Sequence, residues 1–380
     1  MISKLHLKNF IAFTDLSIDF SPGINIVIGE NGTGKTQLLK AILALSGQEA
    51  RGEDAADKQL ARKLCRLYHP LSDQVGELRR AGERGEAMLS ATFASGHEIT
   101  AQFSGNATVV KVSANTQGEA SPAIFIPTKE VLSLVRGLTA EQPHLPTIER
   151  IFDDGYLDLA NQLAKEGTSD LDAKVQLDPR FASIVPRLTN LIDGQYLLEK
   201  GRFVFEAGRY VEKDAATRSK AQHAQMYQDS TEWRFMPSSK QHLSSGMTAE
   251  GFRKIGVLQC LLSNGSLNPG ITGPLLWDEP ESNLNPKLMK DLVQVLLELA
   301  RNGQQIILAT HDYVLLKWFD LLMDKGKGDQ VAFHRLYRDS VNGDIQRESQ
   351  SDYAIVARSA ISSAFAELYD EDVKRALGSD

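Results

Sequence analysis

The stretch "NIVIGENGTGKTQLLKAI" at residues 25–42 joins an apolar run, a glycine-rich turn and a helical pattern. The apolar run at residues 24–28 is typical of a strand that is buried on both faces. Apolar residues then recur at helical spacing until Gly47. A strand that enters a helix through such a turn directs backbone N–H groups and the positive end of the helix dipole at one point. The stretch therefore predicts an α/β fold built around a polyphosphate-binding loop.

The spacing of the turn fits the P-loop signature G-x-x-x-x-G-K-[ST]. Lys35 is expected to reach the β- and γ-phosphates of a nucleotide, and the Thr36 hydroxyl is expected to bind Mg²⁺. The residues expected to bind the nucleotide are Gly29, Asn31, Gly32, Gly34, Lys35 and Thr36. A glycine-rich turn that matches by chance is the alternative, which the flanking strand and helix disfavour.

The composition is that of a globular protein. The chain has 380 residues, which suggests two lobes, and 42% hydrophobic with 24% charged residues is an ordinary balance. A net charge of −7 argues against a wholly basic nucleic-acid-binding surface. The two cysteines show no metal-ligand spacing, and no long apolar span or signal peptide is present. We therefore expect a cytoplasmic protein that does not contact a membrane.

A second cluster of signals lies in "GPLLWDEPESNLNPKLMKDLVQVLLELARNGQQIILATHD" at residues 273–312. An apolar strand ends there in Asp278 and Glu279, and two carboxylates at the end of a buried strand are costly unless they have a function. Asp278 suits a Mg²⁺ ligand, and Glu279 suits a base that orients or deprotonates the attacking water. A pair of acids that opens an exposed turn is the alternative interpretation.

His311 follows the next apolar strand, "QQIILAT". Ligands of open α/β sheets bind at the carboxyl ends of the strands, so His311 is expected to face the phosphates together with Asp278 and Glu279. Although a lone histidine is usually structural, this position favours a γ-phosphate-sensing role. Upstream, "LSSGM" at residues 243–247 precedes a helical run, and Ser244 and Gly246 could donate hydrogen bonds to a phosphate.

The ordered set of motifs resembles the ABC-type ATPases, and within them the SMC/RecF/OLD-like group of AAA-type P-loop ATPases. The matching segments are "GENGTGKT" as Walker A, "LSSGM" as a variant of the LSGGQ signature, "LLWDEP" as Walker B, "ESNLNP" as the D-loop and "ATHD" as the H-loop. The resemblance implies ATP and Mg²⁺ as cofactors, Thr36 and Asp278 as metal ligands, and Glu279 and His311 as catalytic residues. It also implies a homodimer that encloses ATP between the P-loop of one chain and the signature of the other.

Three positions depart from the group's pattern. Ser245 replaces the first glycine of the signature, and Met247 replaces its glutamine. No glutamine stands in "PTKE" at residues 127–130, where the group carries its Q-loop. Lys129 in that segment could contact phosphate or a partner, but a solvent-exposed lysine is the favoured interpretation.

The resemblance implies an ABC-ATPase head, with a P-loop core sheet flanked by helices, an antiparallel β subdomain and a helical insertion. Residues 1–140 would form the N-terminal lobe with Walker A, residues 141–240 the helical and hairpin insertion, and residues 241–380 the C-terminal lobe. Within these segments the sequence predicts an antiparallel meander at 87–113 and a hairpin that turns at Lys200 and Gly201. It also predicts helices broken at five residues, namely Pro143, Pro146, Gly155, Pro179 and Pro186, and an exposed excursion at 213–230.

The leading functional hypothesis is an ATP-hydrolysing switch that dimerises around ATP and regulates DNA transactions or an effector protein. By resemblance this points to bacterial antiphage defence, with an effector, such as a nuclease, from the same operon. A nucleotide-sensing scaffold that does not hydrolyse ATP is one alternative, and a transporter's nucleotide-binding subunit is a less favoured one. A GTPase is disfavoured because the guanine-reading Asn-Lys-x-Asp motif is missing.

Overall fold

The computed structural model describes residues 1–47, 53–115, 121–139, 145–167, 171–212 and 233–377. The predicted excursion at 213–230 and the break at Pro143 lie outside these residues. Within the described ranges no helix combines the length and the apolar character needed to cross a lipid bilayer.

The strands of the described residues are numbered in chain order. They are β1 Ile2–Phe10, β2 Phe13–Asp19, β3 Ile24–Gly29, β4 Ala87–Phe93, β5 Glu98–Phe103, β6 Lys111–Ala114, β7 Ile124–Ile126, β8 Gly194–Glu199, β9 Arg202–Glu212, β10 Trp233–Pro237, β11 Leu243–Ser244, β12 Leu275–Asp278, β13 Ile306–Thr310, β14 Val331–Arg338 and β15 Ile345–Gln350.

The α-helices are numbered in the same way. They are α1 Lys35–Leu45, α2 Glu53–Tyr68, α3 Val135–Leu138, α4 Leu145–Ile151, α5 Asp154–Leu163, α6 Leu171–Leu177, α7 Pro179–Ile192, α8 Glu250–Ser263, α9 Pro286–Arg301, α10 Tyr313–Leu322 and α11 Ala360–Leu377. Short 3-10 turns cover Val75–Leu78, Ser245–Met247, Lys325–Lys327 and Tyr353–Arg358.

A six-stranded sheet in the order β15-β14-β3-β13-β12-β7 forms the centre of the molecule. All neighbouring strands in it are parallel except β14 and β15. Every residue of β3, β12 and β13 is buried, because both faces of the sheet are covered. The strands that the sequence predicts before the P-loop, before Asp278 and before His311 are therefore confirmed, and β3 lies beside β13 and β14.

One face of this sheet packs with α1 against a five-stranded antiparallel sheet in the order β2-β1-β4-β5-β6. The hydrophobic core there joins Leu7 and Leu89 of the antiparallel sheet to Leu39 of α1 and to Val27 of β3. The meander predicted at residues 87–113 is confirmed as β4, β5 and β6.

The other face of the central sheet packs against helices α5 and α7 to α10 and against the small sheet of β8, β9, β10 and β11. The hairpin between β8 and β9 is confirmed, and Lys200 and Gly201 at its turn both have positive φ angles, of 50° and 72°. The α/β class with an additional antiparallel sheet is thus confirmed. The three proposed segments remain a prediction, although strands of the first and the third lie side by side in the central sheet.

The helix break predicted at Pro186 is wrong, because Pro186 lies inside α7. A proline in a helix interior removes one backbone hydrogen bond, but five apolar residues of α7 are buried, namely Phe181, Ile184, Val185, Leu188 and Ile192. The breaks predicted at Gly155 and Pro179 are confirmed, because one helix ends shortly before each of them and the next helix begins there. Pro146 stands in the first turn of α4.

Candidate nucleotide-binding site

The glycine-rich loop between β3 and α1 has the conformation that a P-loop needs. Gly32 and Gly34 have φ angles of 79° and 88°, which a residue with a side chain rarely adopts. A Cβ on Gly34 would stand 2.5 Å from the Phe13 ring, and one on Gly29 would stand 2.6 Å from Thr33 Oγ1. The glycines therefore allow a left-handed turn in a closely packed position.

Helix α1 begins at Lys35, and no described side chain caps it. The first N–H groups of a helix lack partners within the helix, and the dipole adds partial positive charge there. An uncapped helix start behind a glycine-rich loop is the arrangement that binds phosphate. Asn31 and Gly32 at the tip of the loop are exposed, so this start is open to a ligand.

Lys35 is buried and folds back over the loop. Its Nζ donates to the carbonyl oxygens of Gly29, at 2.7 Å, and Glu30, at 3.1 Å. Burial lowers the pKa of Lys35, and the carboxylates of Glu279 and Asp278 oppose that shift. A buried ammonium held by weak neutral acceptors can exchange them for phosphate oxygens, which are stronger partners.

Asp278 at the end of β12 accepts hydrogen bonds from two threonines. Thr36 Oγ1 lies 2.9 Å from Asp278 Oδ2, and Thr128 Oγ1 lies 2.9 Å from the same oxygen. Burial raises the pKa of Asp278, whereas both hydroxyls stabilise its charged form. A carboxylate and hydroxyl oxygens are hard ligands, and Mg²⁺ bound beside phosphates needs only one or two protein ligands. Thr36 and Asp278 therefore fit Mg²⁺, with Thr128 in support.

Glu279 and His311 lie next to each other at the same edge of the sheet. His311 Nδ1 is 3.1 Å from Glu279 Oε1, and both side chains are partly exposed. Glu279 has a φ of 47°, in the left-handed region that non-glycine residues seldom adopt. Such strained residues cluster at functional sites, where the surrounding structure imposes the conformation.

A third carboxylate, Glu281, belongs to the same neighbourhood and is absent from the sequence-based set. Glu281 is 7% exposed, and its Oε1 accepts a hydrogen bond of 2.6 Å from Thr310 Oγ1 at the end of β13. Burial raises its pKa. Glu281 thus joins the segment after β12 to the segment that carries His311. The only signal in the sequence is a third acid two residues after Glu279.

Thr128 is also absent from the residues that the sequence predicts for the site, although its position directly after β7 is an indication of such a role. It occupies the segment in which the expected glutamine is absent, and its hydroxyl contacts Asp278. Lys129 is exposed, in agreement with its favoured interpretation as a solvent-exposed lysine. Glu130 is buried and forms an ion pair of 3.0 Å with Arg253 of α8.

The signature turn lies apart from these contacts. Ser244 and Gly246 are exposed, and no hydrogen bond or ion pair within the described ranges joins either of them to the P-loop. The backbone of the turn is held by Arg253, whose Nη1 donates to the carbonyl oxygens of Ser245, at 3.2 Å, and Thr248. The structure thus brings together Lys35, Thr36, Asp278, Glu279 and His311 but not Ser244 and Gly246.

Two family models match the parts of the chain that carry these residues. Residues 4–150 match the family described as "AAA domain", and residues 250–317 match "AAA domain, putative AbiEii toxin, Type IV TA system". The DNA replication and repair protein RecF of Limosilactobacillus reuteri is 46% identical over 46 residues, which are 12% of either chain. The chain is therefore similar to P-loop ATPases of the SMC/RecF-like group.

Two further known proteins are similar to this chain over a larger part of its length. The DNA double-strand break repair Rad50 ATPase of Thermoplasma volcanium is 28% identical over 183 residues, 46% of this chain and 20% of that protein. The chain therefore spans a fifth or less of the length of the RecF and Rad50 relatives. A solved SMC head bound to the C-winged helix domain of ScpA has a TM-score of 0.49 at 15% identity, covering 92% of this chain and 97% of that one.

Proposed function

We propose that the chain binds Mg²⁺-ATP at residues 29–36 and hydrolyses it, and that this cycle operates a switch. The observation that carries the proposal is the convergence at one sheet edge of Lys35, the Thr36–Asp278 hydrogen bond and the Glu279–His311 contact. Together they provide a cation for the phosphates, oxygen ligands for Mg²⁺ and a carboxylate beside an imidazole.

Each residue has a defined part in the proposed reaction. Lys35 would neutralise charge on the β- and γ-phosphates, and Thr36 and Asp278 would hold Mg²⁺, which would supply further positive charge beside the phosphates. Glu279 orients the attacking water and accepts its proton. His311, whose Nδ1 lies 3.1 Å from Glu279 Oε1, would contact the γ-phosphate and keep the Glu279 carboxylate oriented.

The proposed switch is a homodimer. Ser244 and Gly246 are exposed, and in the described part of the chain they form no hydrogen bond to their own P-loop. They are therefore free to contact the nucleotide at the P-loop of a second copy. Two copies related by a two-fold axis would enclose two ATP molecules, and hydrolysis would release the closed form. The signature would then sense the nucleotide bound by the partner.

The partner that the switch controls is proposed to be DNA or an effector protein, and the proposed setting is antiphage defence. The names of the RecF and Rad50 relatives refer to DNA repair, and the family matched by residues 250–317 is named for a toxin system. An effector that prefers the closed dimer would be switched by its differential affinity for the two states.

Phosphate release by the purified chain, measured with and without duplex DNA, tests the proposal. We expect Mg²⁺-dependent turnover that is lost in Glu279→Gln. ATP binding without turnover under all conditions would contradict hydrolysis and favour the scaffold, and a chain that does not bind ATP would refute both. Proteins that co-purify with the Glu279→Gln variant in the presence of ATP would identify the effector. If no protein co-purifies and duplex DNA stimulates turnover by the unsubstituted chain, DNA is the favoured partner.

A further inference from the structure

Lys254 of α8 is a buried cation outside the set of nucleotide-contacting residues. Its side chain is 1% exposed, and its Nζ donates to the carbonyl oxygens of Glu279, at 2.8 Å, and Ser282, at 3.2 Å. It also donates to the Ser282 hydroxyl. These three acceptors all belong to residues 279–283, which we name the post-β12 turn. Burying an ammonium on neutral acceptors is costly, so its retention there calls for a reason.

Helix α8 is shaped to fit the post-β12 turn. A Cβ on Gly251 would stand 2.8 Å from the carbonyl oxygen of Asn283, so only glycine allows this approach. One residue earlier, Glu250 Oε1 accepts a hydrogen bond of 2.8 Å from Asn283 Nδ2. Glu250 and Lys254 are four residues apart and therefore lie on one face of the helix. That face holds the turn at both of its ends.

The post-β12 turn needs such support because its backbone is strained. Glu279 has a φ of 47° and Asn283 a φ of 60°, and neither is glycine. The carbonyl oxygen of Glu279 accepts from Lys254 Nζ and, at 3.1 Å, from the backbone N–H of Ser282. Fixing this carbonyl fixes the peptide plane that follows Glu279, and with it the direction in which the carboxylate leaves the backbone.

The same contact reaches the metal-binding side of the site. Ser282 Oγ donates to the carbonyl oxygen of Thr128 at 3.1 Å, and the Thr128 hydroxyl donates to Asp278. Helix α8 begins three residues after the Ser245–Met247 turn of the signature. A continuous set of hydrogen bonds therefore leads from the signature helix, through Lys254 and Ser282, to the residues proposed to hold Mg²⁺.

We propose that Lys254 is a positioning residue that holds the strained backbone of Glu279, aims its carboxylate at the attacking water and links this geometry to the signature helix. The inference rests on the proposed function, because it takes Glu279 as the base. Lys254 would act through Glu279 and would not touch ATP. Its loss should therefore affect the chemical step and leave the binding of ATP intact.

The test compares Lys254→Met with a matched control at the other end of the same helix. Lys174 Nζ donates to the carbonyl oxygens of Leu262, at 3.1 Å, and Ser263, so Lys174→Met also removes a partly buried lysine from carbonyls of α8. For the full chain we would measure kcat and KM for ATP, the affinity for a fluorescent ATP analogue, and the thermal unfolding midpoint. Wild-type turnover is established first, since its absence refutes the proposed function before any variant is compared.

We expect Lys254→Met to lower kcat by about tenfold or more with KM and analogue affinity within about twofold, as for a group that acts only on the transition state. Lys174→Met should lower the unfolding midpoint and retain kcat. Wild-type kcat in Lys254→Met, or an equal loss of kcat in Lys174→Met, would overturn the proposal. If Lys254→Met does not fold, Ser282→Ala decides: a lower kcat with unchanged KM supports the proposal, and an unchanged kcat overturns it.

Discussion

At the carboxyl edge of the central sheet Lys35 and Asp278 are buried and hydrogen-bonded within the chain, whereas Ser244 and Gly246 of the signature turn are exposed. In the first region the side chains themselves are held in place. In the second, Arg253 holds the backbone and leaves the Ser244 hydroxyl without a contact to the P-loop among the described residues. One half of the proposed catalytic site is therefore assembled inside the chain, whereas the other half is exposed and would contact a second chain only in the proposed dimer.

This difference has a physical basis. Leaving a buried polar group without a hydrogen-bond partner costs free energy. The polar side chains at the P-loop edge are therefore already hydrogen-bonded within the chain before a ligand binds. An exposed turn is paired by water and gains its specific contacts only on association. Variants of the two regions should therefore differ in kind: those at the P-loop edge should affect the chemistry and the binding of ATP, and those at the signature should affect assembly.

The largest effect is expected for Glu279→Gln, which changes the proposed base in the half of the site that is assembled within the chain. The amide has the shape of the carboxylate but cannot accept the proton, so kcat should fall by about 10² to 10⁴. ATP affinity should stay close to that of the wild type, because Glu279 is not a phosphate ligand. Phosphate release and the titration of a fluorescent ATP analogue measure the two quantities. An unchanged kcat would remove Glu279 from the mechanism.

The next effect concerns Lys35→Ala. Loss of a charge-assisted hydrogen bond costs about 1.5–3 kcal/mol, which corresponds to roughly ten- to hundredfold weaker ATP binding. Lys40→Ala on the same helix is the control, since Lys40 pairs with Asp153 at 2.7 Å and should contribute to stability alone. Calorimetric titration that shows equal ATP affinity in Lys35→Ala and the wild type would contradict the P-loop assignment.

Ser244→Glu tests the exposed half of the site, which is proposed to contact the ATP bound by a second chain. A carboxylate placed against the phosphates of the partner's ATP is repelled, and we expect ATP-dependent dimerisation to weaken by about tenfold or more. Binding of ATP to the monomer should not change. Ser95→Glu, at an exposed position in the turn between β4 and β5, is the control. Sedimentation that shows the same dimer with and without ATP and in both variants would place the interface elsewhere.

Gly251→Ala is expected to have the smallest effect and probes the junction of the two regions. The added methyl group would stand 2.8 Å from the Asn283 carbonyl oxygen, and the required shift should cost about 1 kcal/mol or somewhat more. Gly137→Ala in α3 is the control, because no atom of the described residues beyond its own chain neighbours lies within 4 Å of the added methyl group. Denaturant unfolding measures both. Equal stability of the two variants would show that α8 does not press on the post-β12 turn.

Local features of the site could be predicted from the sequence because they depend on neighbouring residues. The strand, turn and helix around Lys35 follow from apolar spacing and from glycines that permit positive φ angles. Likewise, Asn285 directly before Pro286 is a residue type that favours the N-cap of a helix, and its Oδ1 accepts a hydrogen bond of 3.0 Å from the backbone N–H of Lys287. The common edge for Asp278 and His311 followed from the rule that parallel strands present their carboxyl ends together.

Other contacts could not be predicted because they join residues that are far apart in the sequence. Thr128 and Asp278 are separated by 150 positions, and only the pairing of β7 with β12 brings them together. Pro186 was expected to end a helix by its local effect, but burial of the neighbouring apolar residues keeps α7 continuous.

The glycine-rich loop, the acids after β12 and the α/β class follow from the amino-acid sequence alone, since periodicity, glycine placement and strand ends are local properties. The hydrogen bonds from Thr128 to Asp278 and from Thr310 to Glu281, by contrast, depend on the tertiary structure. The same is true of the hydrogen bond from Lys254 Nζ to the carbonyl oxygen of Glu279. The reason is that a buried polar group is stabilised by whichever partner the packing of distant segments supplies, and no spacing along the chain specifies that partner.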